Sequence, residues 1–116
     1  MPDVILVGEW VLNANGSVGT MVIDRVEPGG KVALRMTFSD IGREEVVSGT
    51  WDPASKTIAL LRVLGGNVTQ SYTGFLGGNH PSNVILAGGF TQSDIPQTAP
   101  RTIFGWSAQL RRPAGA

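Results

Sequence analysis

The sequence predicts an all-β fold, an eight-stranded antiparallel up-and-down β-barrel, and three observations carry that reading. Turn-forming residues are abundant, with 16 Gly and seven Pro in 116 residues, and they fall at near-regular intervals. The runs between them are rich in Val, Ile, Thr and aromatic side chains. No window of a dozen residues places apolar side chains at helical spacing, and short strands divided by regular turn signals argue for a sandwich or a barrel.

The first run, Val4 to Leu12, ends in "NANGS", an Asn/Gly turn composition. A second run, Val18 to Glu27, stops at "EPGGK", and a third occupies Lys31 to Phe38. There Val32, Leu34, Met36 and Phe38 alternate with Lys31, Ala33, Arg35 and Thr37, the period-two split of a half-solvated strand. "SDIGRE" separates it from Glu45 to Asp52, and "DPASK" introduces Thr57 to Val63. After "LGGN" come Val68 to Phe75, the turn "LGGNHPSN" and Ser82 to Thr91. "SDIPQTAP" then precedes the last run, Thr102 to Leu110. Nearly every connection is short enough for a hairpin, which favours a meander over a Greek key. Closing eight such strands removes the exposed edges that invite aggregation. A single barrel domain over 1–116 is expected, since the chain is long enough for one modest core.

Composition excludes several functions. Nine basic and nine acidic residues cancel, and the closest basic pair, Arg111 and Arg112, sits in the tail, so no nucleic-acid or anionic-membrane footprint is present. Cysteine is absent, which removes disulfides, thiolate metal sites and cysteine nucleophiles. The opening "MPDVILVGEW" has too short an apolar run for a signal peptide and no basic residue ahead of it. The expectation is a cytoplasmic protein, although a mature secreted form fits the same residues. No apolar run approaches the roughly 20 residues of a membrane helix.

Catalytic constellations are scarce. The single His, His80 in "GGNHPSN", would have to serve any Ser/His/Asp triad, and it reads more simply as a loop-tip residue beside a turn Pro. A His-rich metal site is impossible, so no metal and no cofactor are expected. Glu44 and Glu45 are adjacent, point to opposite faces of a strand and read as surface charge. Asp24, Glu27, Asp40 and Asp52 lie in or beside strands, yet no spacing singles out a general base. The Gly-Gly pairs lack the strand-to-helix context of a phosphate loop, and the Asn67-Val68-Thr69 acceptor pattern reads as chance.

Gly8, Trp10, Asn13, Gly16 and Ser17 have the spacing found at the start of avidin and streptavidin-like barrels, a Gly-x-Trp strand followed by Asn, a turn and Gly-Ser. "VVSGTWD", Val46 to Asp52, is similar to that family's fourth strand. "SYTGFLGGNHPSNVILAGGFTQ" is similar to its sixth strand, Gly-Gly hairpin and returning strand. With gaps, the resemblance covers most of the chain, and it implies a small-molecule pocket in the lumen. Asn13 and Ser17 carry over as polar candidates. The pattern departs elsewhere: Phe38 stands where the family has a Tyr, Gly88 falls near its seventh-strand Trp, and Ser107 aligns with its ureido-binding Asp. Tight biotin binding is therefore not expected, because each lost buried hydrogen bond removes about 1 to 3 kcal/mol.

The functional expectation is a barrel that binds an apolar or amphipathic small molecule, with its mouth beside Asn13 to Ser17 and Gln92 to Pro100. Trp10, Met36, Phe38, Tyr72, Phe90 and Trp106 are the candidate walls, and Asn13, Ser17, Gln70 and Ser107 the candidate polar contacts. Ordinary core packing is the weightier reading for each aromatic. A small barrel cyclase or isomerase, which orients a flexible apolar substrate without strong acids or bases, is the alternative; a barrel with a filled lumen is a third. Arg62 interrupts an apolar run, either lining the lumen or, the reading preferred here, facing water. Ala59, Leu61 and Val63 oppose Ile58 and Leu60, and Ile85 and Ala87 oppose Val84 and Leu86, so these strands are apolar on both faces. Such strands point to a homo-oligomer, a dimer or tetramer sharing part of the outer wall.

Overall fold

The computed structural model describes residues 6–38, 44–63, 68–79 and 83–113. Eight antiparallel strands follow one another around a closed barrel: β1 (Gly8–Ala14), β2 (Ser17–Val26), β3 (Lys31–Phe38), β4 (Glu44–Asp52), β5 (Thr57–Val63), β6 (Thr69–Asn79), β7 (Asn83–Gln92) and β8 (Phe104–Pro113). Closure comes from β1 against β8, with Gly8 opposite Pro113 and Ala14 opposite Trp106.

Local chemistry explains the boundaries. Ala14 pairs with Ser17, leaving Asn15 and Gly16 as a two-residue turn in which both φ angles are positive, 51° and 95°. That is the twist-compatible hairpin turn for which Asn-Gly is favoured. The Asn13 side chain locks it by accepting the Gly16 N–H at 2.9 Å. β1 starts at Gly8, and Leu6 just before it is completely buried; Val4 and Ile5, the expected start of this strand, lie outside the described residues. The Trp10 indole N–H donates to the Leu6 carbonyl at 2.9 Å, so this pair plugs one end of the barrel. β6 runs past the expected end at Phe75 to Asn79, because β7 pairs with it without interruption from Gln70↔Gln92 to Asn79↔Asn83. Gly77 and Gly78 are thus strand, not turn. His80, Asp40 and Asn67, together with the side chains of Glu44 and Glu45, lie outside the described residues.

The core is the inward set of the period-two pattern: Trp10, Leu12, Met21, Ile23, Met36, Ile58 and Leu86 are all essentially inaccessible. Gly88 fits the same logic. It faces Gly74 across the β6–β7 pair, and any Cβ there would run into the Thr73 carbonyl oxygen. The indole of Trp106 covers Gly74 and donates its N–H to the Thr73 carbonyl at 3.1 Å. An aromatic side chain from β8 therefore occupies the space that Gly74 of β6 leaves.

The outer wall is divided by charge. On β2 and β3, Asp24, Arg25, Lys31 and Arg35 are exposed, and Asp24 meets Arg35 at 3.3 Å. On β5 to β7, the outward Ala59, Leu61, Val63, Ser71, Thr73, Phe75 and Ala87 are exposed and uncharged.

The plug gives the first prediction. Trp10→Ala deletes a fully buried indole and its hydrogen bond, and chemical denaturation should show a loss of about 3 to 5 kcal/mol. A loss under about 1 kcal/mol would show that this end is held by something else.

Candidate functional site

Strand register builds the site as two rungs across the barrel wall. Leu60, Tyr72, Phe90 and Phe104 stand opposite one another along β5, β6, β7 and β8. One inward step closer to the open end, Arg62, Gln70 and Gln92 form a second rung. An aromatic tier therefore lies directly beneath a polar one. A cavity of about 310 Å³ sits over them, lined also by Ala14, Asn15, Ser17, Phe38 and Ile95. It opens at the end carrying the β1–β2 turn and the β7–β8 connection.

The aromatic tier is rigid. Tyr72 and Phe90 stack with centroids 4.7 Å apart, Phe104 lies 5.5 Å from Phe90, and Trp106 abuts the Tyr72 ring edge-on at 5.6 Å. These are favourable separations for ring pairs.

The polar tier is a directed network. Gln92 donates through Nε2 to the Asp94 carboxylate at 2.7 Å, and its Oε1 accepts from Gln70 Nε2 at 2.7 Å. Gln70 Oε1 accepts twice, from the Tyr72 hydroxyl at 2.6 Å and from Arg62 Nη1 at 2.8 Å. Arg62 is buried, with its guanidinium 4.2 Å from the centre of the Phe38 ring. The reading that put this side chain in water is thus corrected. On β5 both faces are apolar, so alternation alone left the phase open; the register with inward Gln70 settles it. Lifted from water, the cation gains a neutral amide acceptor and an aromatic face.

Tyr72 is 1% exposed. Burial pushes its phenol pKa up, while a hydrogen bond from Arg62 and the Arg62 charge pull the other way without prevailing. The hydroxyl remains a proton donor at neutral pH.

The other sequence-predicted residues are scattered. Phe38, Gln70, Tyr72, Phe90 and Ser17 line the cavity. Trp10 belongs to the opposite plug, and Met36 is core, paired with Met21. Trp106 supports Tyr72 from behind. Asn13 and Ser107 are exposed and face each other on the outside of the β1–β8 pair. Gln92 and Phe104 were missed, although each stands two residues from a chosen aromatic, at the same parity as Phe90 and Trp106. Asn15 also lines the cavity; it was read only as a turn residue. Among the described residues no group of three or more His, Asp or Glu could hold a metal ion.

No family model, no curated protein and no solved structure matches the chain.

The chain has a single Tyr, so the absorbance of tyrosinate reports Tyr72 alone. In the folded protein its midpoint should lie above the roughly 10 of a free phenol, and it should fall to about 10 in denaturant. A raised folded pKa means stability is intact below about pH 10 and declines as pH rises through the folded value. A folded midpoint at or below 10 would contradict the buried placement.

Proposed function

We propose that this barrel binds one small amphipathic molecule at its open end. The observation that carries the reading is the stacking of an aromatic tier under a polar tier within one cavity, at the end opposite a sealed plug. Binding sites combine apolar walls with a few placed polar groups, and 310 Å³ lies at the small end of the about 300–1,000 Å³ typical of them. The apolar part of a ligand would rest against Phe38, Phe90 and Phe104, and its polar part against the Gln70–Gln92 rung. An avidin-like origin is part of the proposal, with the pocket refitted. Phe38 offers no hydroxyl, Gly88 has no room for an indole, and Ser107 lies on the outer surface.

We also propose that the barrel pairs with a second copy of itself. Its β4–β6 wall holds a shallow depression over Ser48, Thr50, Ala59, Leu61, Ser71 and Thr73, with Lys31 of β3 also lining it, and Phe75, 60% exposed, projects beside it. In a two-fold contact each patch meets its own copy, so a face with both knob and hollow, on which Lys31 is the one charged residue of the depression, suits self-pairing.

Two experiments test these readings. Titration with an environment-sensitive apolar dye should show one saturable site, and Ser17→Phe, a bulky side chain at the cavity rim, should weaken it at least tenfold without changing the melting temperature. Biotin in the same assay should bind no tighter than about micromolar. A barrel with a filled lumen would show no saturation. For assembly, light scattering at micromolar concentration should report a dimer or tetramer, and Leu61→Lys should dissociate it by placing an unpaired charge in the contact; a monomeric parent chain ends that proposal.

A further inference from the structure

Resting on the ligand-binding reading, we infer that the cavity selects an aromatic molecule bearing a carbonyl-type oxygen, and that Arg62 and Asp94, at the two ends of one chain of amides, set this preference. The inference comes from the direction of the hydrogen bonds, not their number.

An amide side chain can be turned about, exchanging its donor and acceptor ends, unless a partner of fixed character decides. Asp94 is such a partner. An ionised carboxylate only accepts, so Gln92 must turn its nitrogen toward Asp94. Gln92 Oε1 then faces Gln70, which must answer with its own nitrogen. Gln70 Oε1 is thus aimed at Tyr72 and at Arg62, whose guanidinium only donates and so fixes the same order from the inner end, and both of its lone pairs are used. Across the mouth, Arg101 imposes the same order on Asn15. A guanidinium only donates, so Asn15 turns Oδ1 toward Arg101 Nη2 at 3.1 Å. Arg101 is itself seated over the Phe104 ring at 4.8 Å.

The consequence concerns what is left for a ligand. Gln70 Nε2 and Gln92 Nε2 each keep a second N–H, and Asn15 keeps its Nδ2 donors; among the described residues no protein acceptor takes them. All three residues line the cavity. The carbonyl end of Gln70 is spent within the network, and that of Asn15 is engaged by Arg101. The cavity therefore presents N–H donors above an aromatic tier, an arrangement complementary to a ring carrying a ketone, amide or carboxylate oxygen. A ligand offering only donors would leave these N–H groups unsatisfied when water is displaced, and buried unmade hydrogen bonds are penalised more than made ones are rewarded.

The probes are three naphthalenes on one ring frame. 2-Acetonaphthone carries an acceptor oxygen, 2-isopropenylnaphthalene replaces that oxygen by CH₂ at nearly the same shape, and 2-naphthylamine carries donors. Binding is read by displacement of the apolar dye, in the parent chain, in Asp94→Ala and in the double variant Arg62→Met/Asp94→Ala, with a cooperative melting transition as the control for folding. In the parent chain the ketone should bind at least tenfold more tightly than either competitor, although the hydrocarbon is the least soluble in water. In Asp94→Ala the Arg62 end still holds the order and the ketone-to-hydrocarbon ratio should stay at tenfold or more; in the double variant the Tyr72 hydroxyl can serve either end of Gln70, the amides can turn, and the ratio should fall below threefold while the hydrocarbon still binds. A ratio that survives in the double variant, with all three affinities moving together, or one already lost in Asp94→Ala, overturns the role assigned to the two ends. Equal binding of the three probes by the parent chain, or preference for the amine, would overturn the selectivity while leaving the ligand site standing. No saturable binding of any probe would overturn the site and the selectivity together.

Discussion

An eight-stranded barrel encloses a lumen that inward side chains must either fill or leave as a cavity. Everything distinctive about this molecule follows from how its two ends meet that constraint. At the plugged end the inward positions carry Leu6, Trp10, Ile23 and Trp51, large apolar groups that exclude water. Toward the other end the inward positions become Arg62, Gln70 and Gln92, polar groups that are costly to withdraw from water without hydrogen-bond partners. The solution is a hydrogen-bonded tier roofing the aromatic one. Its outermost member, Gln92, reaches an exposed carboxylate on the β7–β8 connection.

This arrangement explains why polarity and aromatic stacking occur as neighbouring layers instead of intermingling. Strand pairing places Tyr72 beside Phe90 and Gln70 beside Gln92 simultaneously, because both pairs obey one register two residues apart. A one-residue slip of either strand would turn both of its side chains outward at once. The register is thus guarded by the burial of Tyr72 and Phe90 on one rung and by the amide pairing on the next.

Much of the fold was legible because turn chemistry and alternation act locally. "NANGS" announced its hairpin through Asn15 and Gly16, and the β3 alternation identified its buried face correctly. Two kinds of information were not local. Gly77 and Gly78 looked like a turn, but ten consecutive pairings with β7 hold β6 extended through them. Ladder pairing outweighed the glycine preference. The phase of β5 was ambiguous because Leu60 and Leu61 are equally apolar, and only the facing strands decide that Arg62 enters the lumen. For the candidate site, Phe38, Gln70, Tyr72 and Phe90 could be drawn from residue type and period, whereas Asp94 and Asn15 could not. Their part depends on which neighbour fixes an amide's orientation, a property of three-dimensional contact.

The β1–β8 pairing also shapes how the chain reaches this structure. The other seven pairings join strands adjacent in sequence, so each can form across a short connection. Joining Gly8 to Pro113 instead closes almost the whole polypeptide into a loop, at the largest entropy cost of any step. Local hairpins thus assemble readily, while ring closure waits on long-range encounter and slows folding. Until then β1 and β8 are open sheet edges with free N–H and C=O groups, available to a neighbouring molecule as readily as to each other. Closure of this barrel consequently competes, as a unimolecular step, with concentration-dependent misassembly at the same two edges.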